Sequence, residues 1–220
     1  MRFRPTALAA IVVIALAGVA ALAFDQHRRL AAAESRLAAI GPAALEVGFV
    51  QAMVVHHEQA IALAQVLQDG SPSALLPLAR TLAATQMLEL GELRGWLRLW
   101  QQPMAVLKPS MDWMLLGAGP LAADYQAYLL DCRQAPTGMS GLAEPAAVEA
   151  YRRLAGVERD RRFVALMIAH HRGALPMARF AATEAQVPAV RALARQIVIE
   201  QAEELATLEH LQGLLGNGAE

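Results

Sequence analysis

The chain has one cysteine, Cys132, in 220 residues. No internal disulfide can form, so stability has to come from packing, and Cys132 itself reads as a small core residue. Aromatic residues make up only 5% and the formal net charge is −1, so the basic stripe and the stacking platforms of a nucleic-acid binder are both missing. β-Branched runs punctuated by glycine are scarce, whereas Ala and Leu abound, which argues for helices throughout and almost no sheet. Glu-x-x-His, the motif by which helical bundles hold di-iron centres, does not occur.

The N-terminus is apolar. Arg2 and Arg4 precede an uncharged run from Ala7 to Phe24, the pattern of an export signal. Ala21-Leu22-Ala23 resembles a peptidase site, so a cleaved signal fits. The run also reaches the lower limit for a spanning helix, and His27, Arg28 and Arg29 follow at once, which favours a retained anchor. Either way residues 25–220 are expected outside the cytoplasm, in the periplasm, soluble after cleavage or tethered to the membrane.

Beyond it, one pattern is written twice. Phe49, Met53, His56, His57, Ala60 and Ala64 each stand 114 residues before Phe163, Met167, His170, His171, Ala174 and Ala178. Later residues match at an offset of 115: Leu78-Ala79-Arg80 with Leu193-Ala194-Arg195, Gln86 with Gln201, Glu89 with Glu204. The expected helices run from about Ala43 to Gln68, from a cap and first turn at Ser71-Pro72, from about Val157 to Glu184, and from Val187-Pro188 to about Leu215. Between the copies, nine Pro and Gly residues from Pro103 to Pro145 forbid one long helix, although a short one near Leu121–Asp131 fits.

Two hairpins, each with an apolar stripe it cannot bury alone, predict an all-α protein, an antiparallel four-helix bundle with a long crossover. The expected organisation is a signal or anchor (1–24), a helical linker (25–42), a first hairpin (43–100), a connector (101–145) and a second hairpin (146–216), the hairpins sharing one domain.

Helical spacing places Met53 about 60° from His56 and about 40° from His57, all on one face; Met167, His170 and His171 repeat this. Thioethers beside imidazoles suit a soft or borderline ion, copper and in particular Cu(I), with other transition metals compatible. Met177 adds a sulfur that copy one replaces with Leu63, so the two sites should be unequal. Glu46, Gln86, Glu89, Asp160, Gln201 and Glu204 are candidates to orient the imidazoles, since a ligating histidine usually donates its other ring N–H to a carboxylate or carbonyl. The bland alternative puts these polar groups on solvated faces and the histidines in a hydrogen-bonded core. Gly173 and Pro176 predict a kink just beyond the second pair.

The FxxxMxxHHxxAxxxA pattern, followed by QxxE, resembles the bacterial family catalogued as domain of unknown function 305, over about residues 45–100 and 138–213. The resemblance implies a ferritin-like bundle, and some members are exported copper-binding proteins. Asp160, and Glu46 as a substitute, match an acidic residue before the motif; Met177 matches a later methionine, and Gly138-Met139 a step before the second copy. A methionine often found after QxxE is here Leu93 and Leu208.

The functional expectation is an exported protein that binds or buffers copper and confers copper resistance without turnover, served by an unidentified delivery protein. Two alternatives stand beside it: a ferritin-like redox metalloenzyme, and a structural or partner-binding bundle.

Overall fold

The computed structural model describes residues 5–38, 41–104 and 110–217. Among these residues are seven α-helices: α1 (Pro5–Ala38), α2 (Ala44–Val66), α3 (Leu76–Leu99), α4 (Ala123–Gln134), α5 (Pro145–Arg152), α6 (Gly156–Glu184) and α7 (Pro188–Asn217), with a 3-10 turn at Asp112–Leu116. The protein is all-α, and among the described residues there is no strand.

Two compact units divide at Gly41. The first holds α1, one helix that contains the run Ala7–Phe24 and continues into the expected linker as far as Ala38. Among the described residues, no helix is long and apolar enough to cross a membrane.

In the second unit α2 packs on α3, α6 packs on α7, and the pairs meet along α2 and α6. The start of α2 lies beside the end of α6, because Glu46 accepts the backbone N–H groups of Gln186 and Val187. Its far end lies beside the start of α6, where Arg159 donates to Asp69 at 2.8 Å. The two central helices therefore run in opposite directions. Apolar side chains occupy much of the buried length of both helices: Phe49, Val50, Met53, Phe163, Val164 and Met167 are all fully buried, the burial that supplies most of a helix's stability in a protein.

Two sequence expectations need correction. The third helix begins at Leu76, with Pro77 in its first turn, rather than at Ser71-Pro72. Asp69 accepts the Ser71 N–H and Ser73 the Leu75 N–H, so the polar residues build consecutive turns instead of a cap. Ser73 also donates to Asp160 at 2.8 Å, a tertiary tie that the local pattern does not show. The connector holds a 3-10 turn besides α4, and a further short helix, α5, opens the residues assigned to the second hairpin. α6 is helical through Pro176, and the Gly173 carbonyl accepts the Tyr128 hydroxyl at 2.8 Å.

Candidate metal centre

His56, His57, His170 and His171 are all fully buried where α2 crosses α6, as are Met53, Met167 and Met177. The crossing is fixed by a reciprocal contact. His56 Nε2 donates to the His170 carbonyl at 3.1 Å, and His170 Nε2 donates to the His56 carbonyl at 2.9 Å. The two rings lie 3.6 Å apart between centroids, tilted by 39°.

The outer histidine of each pair faces its own partner helix. His57 Nε2 donates to Glu89 on α3 at 2.8 Å, and His171 Nε2 to Glu204 on α7 at 2.7 Å. A carbonyl can only accept, so the proton of each inner ring sits on Nε2 and the lone pair on Nδ1. All four Nδ1 atoms are buried without a hydrogen-bond partner. Such orphans call for an explanation.

Burial holds the His56 and His170 pKa values well below the ordinary histidine range, assisted by repulsion among the clustered imidazoles. Both are neutral at pH 7, the form able to donate a lone pair to a metal. Among the described residues, no group of three or more His, Cys, Asp and Glu side chains is arranged to hold a metal ion. A site here would have to draw on methionine sulfur.

The methionines divide unevenly. Met53 and Met177 lie in one buried cluster together with Met111, Met114 and Met139, while Met167 is the lone methionine of the second cluster, beside Phe163 and Leu63. Met177 falls in the cluster of Met53 rather than in that of Met167, as follows from helices that run in opposite directions. Residues after His170 on α6 come alongside residues before His56 on α2.

Not all the expected orienting groups reach the histidines. Glu89 and Glu204 do. Gln86 and Gln201 are buried one helical turn away, with both amide atoms of each unpartnered. Glu46 instead caps the end of the α2–α6 pair, accepting from Ala43 at 3.0 Å as well as from Gln186 and Val187. Asp160 is occupied by Ser73 at the opposite end.

Sequence reasoning missed Glu200, which accepts from Gln196 at 3.0 Å and whose carboxyl is pushed up by burial and by the nearby Glu89 and Glu204 carboxylates. Its only signal was a position one turn before Glu204 on the same helix. Gln59 was missed too: its amide pairs with both backbone groups of Ala143, at 2.9 and 2.7 Å.

No curated protein matches the chain in sequence. Among solved structures, a DUF305 protein described as secreted, from Streptomyces coelicolor, is 28% identical over 78% of this chain and 94% of its own, with a TM-score of 0.65. A DUF305 fragment from Deinococcus radiodurans is 29% identical over 80% of this chain and 99% of its own, with a TM-score of 0.58. CopM in the Cu(I)-bound form aligns at 23% identity over 76% of this chain and 94% of its own, with a TM-score of 0.49. The family description matched over residues 46–212, "Domain of unknown function (DUF305)", covers the whole paired-histidine region, and the chain belongs to that family.

Proposed function

We propose that the protein binds copper as Cu(I) in more than one site, drawn from the Nδ1 atoms of His56, His57, His170 and His171 and the thioethers of Met53, Met167 and Met177, holding or passing on the ions without turnover. One observation carries the reading. Four fully buried imidazoles each commit Nε2 to a carboxylate or carbonyl and each leave Nδ1 without a partner. This is the pattern by which an outer acceptor orients a metal-binding histidine and fixes its tautomer.

The surrounding sulfur points to a soft ion, and zinc sites rarely use thioethers. Glu89 and Glu204 serve as the orienting carboxylates, with Gln86 and Gln201 behind them. In this reading the two hairpins form an antiparallel four-helix bundle descended from one duplicated unit. The unit acts outside the cytoplasm, with α1 as its export signal or anchor, and receives its ion from a delivery protein.

A second reading has its own observation: the reciprocal His56–His170 bonds tie α2 to α6, which a structural histidine pair would also do. Metal titration separates the two. The chain, purified in a non-ionic detergent, is titrated with Cu(I) against a chromophoric chelator and challenged with equimolar zinc. The wild type should take up Cu(I) and keep it. Replacing His170 and His171 together with Gln and Asn should remove about half of the bound metal. A variant that keeps its copper but melts far lower when metal-free would establish the structural reading instead.

A further inference from the structure

We propose that residues 137–143 form a strap across the α2–α6 seam and that Met139, carried on it, is a third thioether that joins Met53 and Met177 in binding a soft monovalent cation. The proposal rests on the Cu(I) reading and adds to it a ligand outside both histidine motifs.

The crossing geometry sets the level. With His56 bonded to His170 and the helices running in opposite directions, Met53, three residues before His56, lies level with Gly173, three residues after His170. Met177 is one turn further along α6, on nearly the same face. The strap touches down at that level.

A methyl group on Gly173 would overlap the Ser140 carbonyl oxygen, and one on Gly141 would overlap the Ala169 carbonyl oxygen. Gly141 also has φ +87°, a left-handed conformation that favours glycine. Two glycines thus let the backbone next to Met139 lie directly on α6. The contact is pinned on each side. Ser140 N–H donates to Cys132 at 3.3 Å, Thr137 donates to the Met139 carbonyl at 2.9 Å, and Gln59 of α2 holds Ala143 by two bonds.

Met139 is fully buried in the cluster that contains Met53 and Met177. Packing alone would be served as well by leucine, since methionine by itself is a gap-filler. The distribution argues for more. At the opposite end of the histidine crossing, where Met167 lies, the cluster has no second methionine. Sulfur collects at the end that faces the strap, and the four Nδ1 atoms of the crossing have no hydrogen-bond partner. Three thioethers with a neutral imidazole form a donor set that selects Cu(I) or Ag(I) over divalent ions.

Met139→Leu tests this, because the exchange conserves volume and shape well enough to keep the core. The full chain, in detergent and carrying 13C-methyl methionine, is titrated with Cu(I) under reductant and separately with Ag(I). The Met139 methyl signal, assigned by its loss in the variant, should shift together with those of Met53 and Met177. Chelator competition should show Cu(I) affinity weakened about tenfold or more in the variant. If Met139 does not shift while Met53 does, or if the variant binds as the wild type, the assignment of Met139 fails and the Cu(I) reading stands. If the wild type takes up no Cu(I), both fail.

Discussion

Acidification of the metal-free protein tests the burial of His56 and His170. In the folded state both imidazoles stay neutral, because burial and the neighbouring rings hold their pKa values far down; in the unfolded chain each takes up a proton near pH 6.5. The unfolded state therefore binds more protons below that pH, and stability falls as pH falls. This contribution is fully present above about 6.5 and is lost progressively towards the depressed folded values.

The slope is about 1.4 kcal/mol per pH unit for each group. From pH 7 to pH 5.5 the two together should remove about 2.5 kcal/mol. That is a large part of the roughly 5–15 kcal/mol that holds a domain together. Urea unfolding followed by circular dichroism at half-unit pH steps measures it directly. The double variant His56→Gln, His170→Gln supplies the baseline, since it keeps polar side chains but removes the two titrations. A wild type whose pH slope between 7 and 5.5 equals that of the double variant would refute the argument, because the two rings would then be protonating in the fold.

Copper retention should follow the same burial: protons compete with the ion only near the folded pKa, so half-loss of Cu(I) in a pH titration should fall clearly below 6.5, and half-loss at 6.5 would count against His56 and His170 as ligands. Glu46→Gln should cost about 1.5–3 kcal/mol in urea unfolding, because a charged acceptor of three backbone N–H groups becomes neutral at the junction of α2 with the α6–α7 turn. Gly173→Ala should destabilise by about 1–3 kcal/mol and speed amide exchange in residues 137–143, since the added methyl must displace the strap. Gly91→Ala, where nothing stands near the new methyl, should stabilise α3 by about 0.5–1 kcal/mol, which thermal melting would detect.

The histidine pairs were legible because a repeat survives in one chain, and so were the helices that carry them, because apolar periodicity runs unbroken from Leu45 to Leu67 and from Phe163 to Ala181. The pairing of those helices was not. Which residue of α2 meets which of α6 is a long-range fact, and on it depends whether Met177 serves Met167 or Met53. Ser71-Pro72 misled because a helix-start signal was outcompeted by a polar turn that Asp160 holds from another helix. Glu46 and Asp160 look like orienting groups on a helical wheel, yet each lies nearly three turns from the histidines, at an end of the helix pair where backbone or hydroxyl donors claim it first. Glu89 and Glu204 were found because QxxE recurs at the right distance. Met139 was marked only through the family resemblance, by the Gly138-Met139 step, since a single methionine among prolines and glycines has no period to read.

The mutual bond between His56 and His170 has the form of an isologous interface, in which one surface meets itself and each residue repeats its partner's contact. Two separate copies of a single hairpin would make the same pair of bonds across a two-fold axis. Held on one chain by the connector, the contact no longer depends on protein concentration, since joining the halves replaces association with an internal encounter. The join also frees the halves from strict equality. A strap and a methionine can be added on one side of the axis alone, something no symmetric pair of identical chains can do.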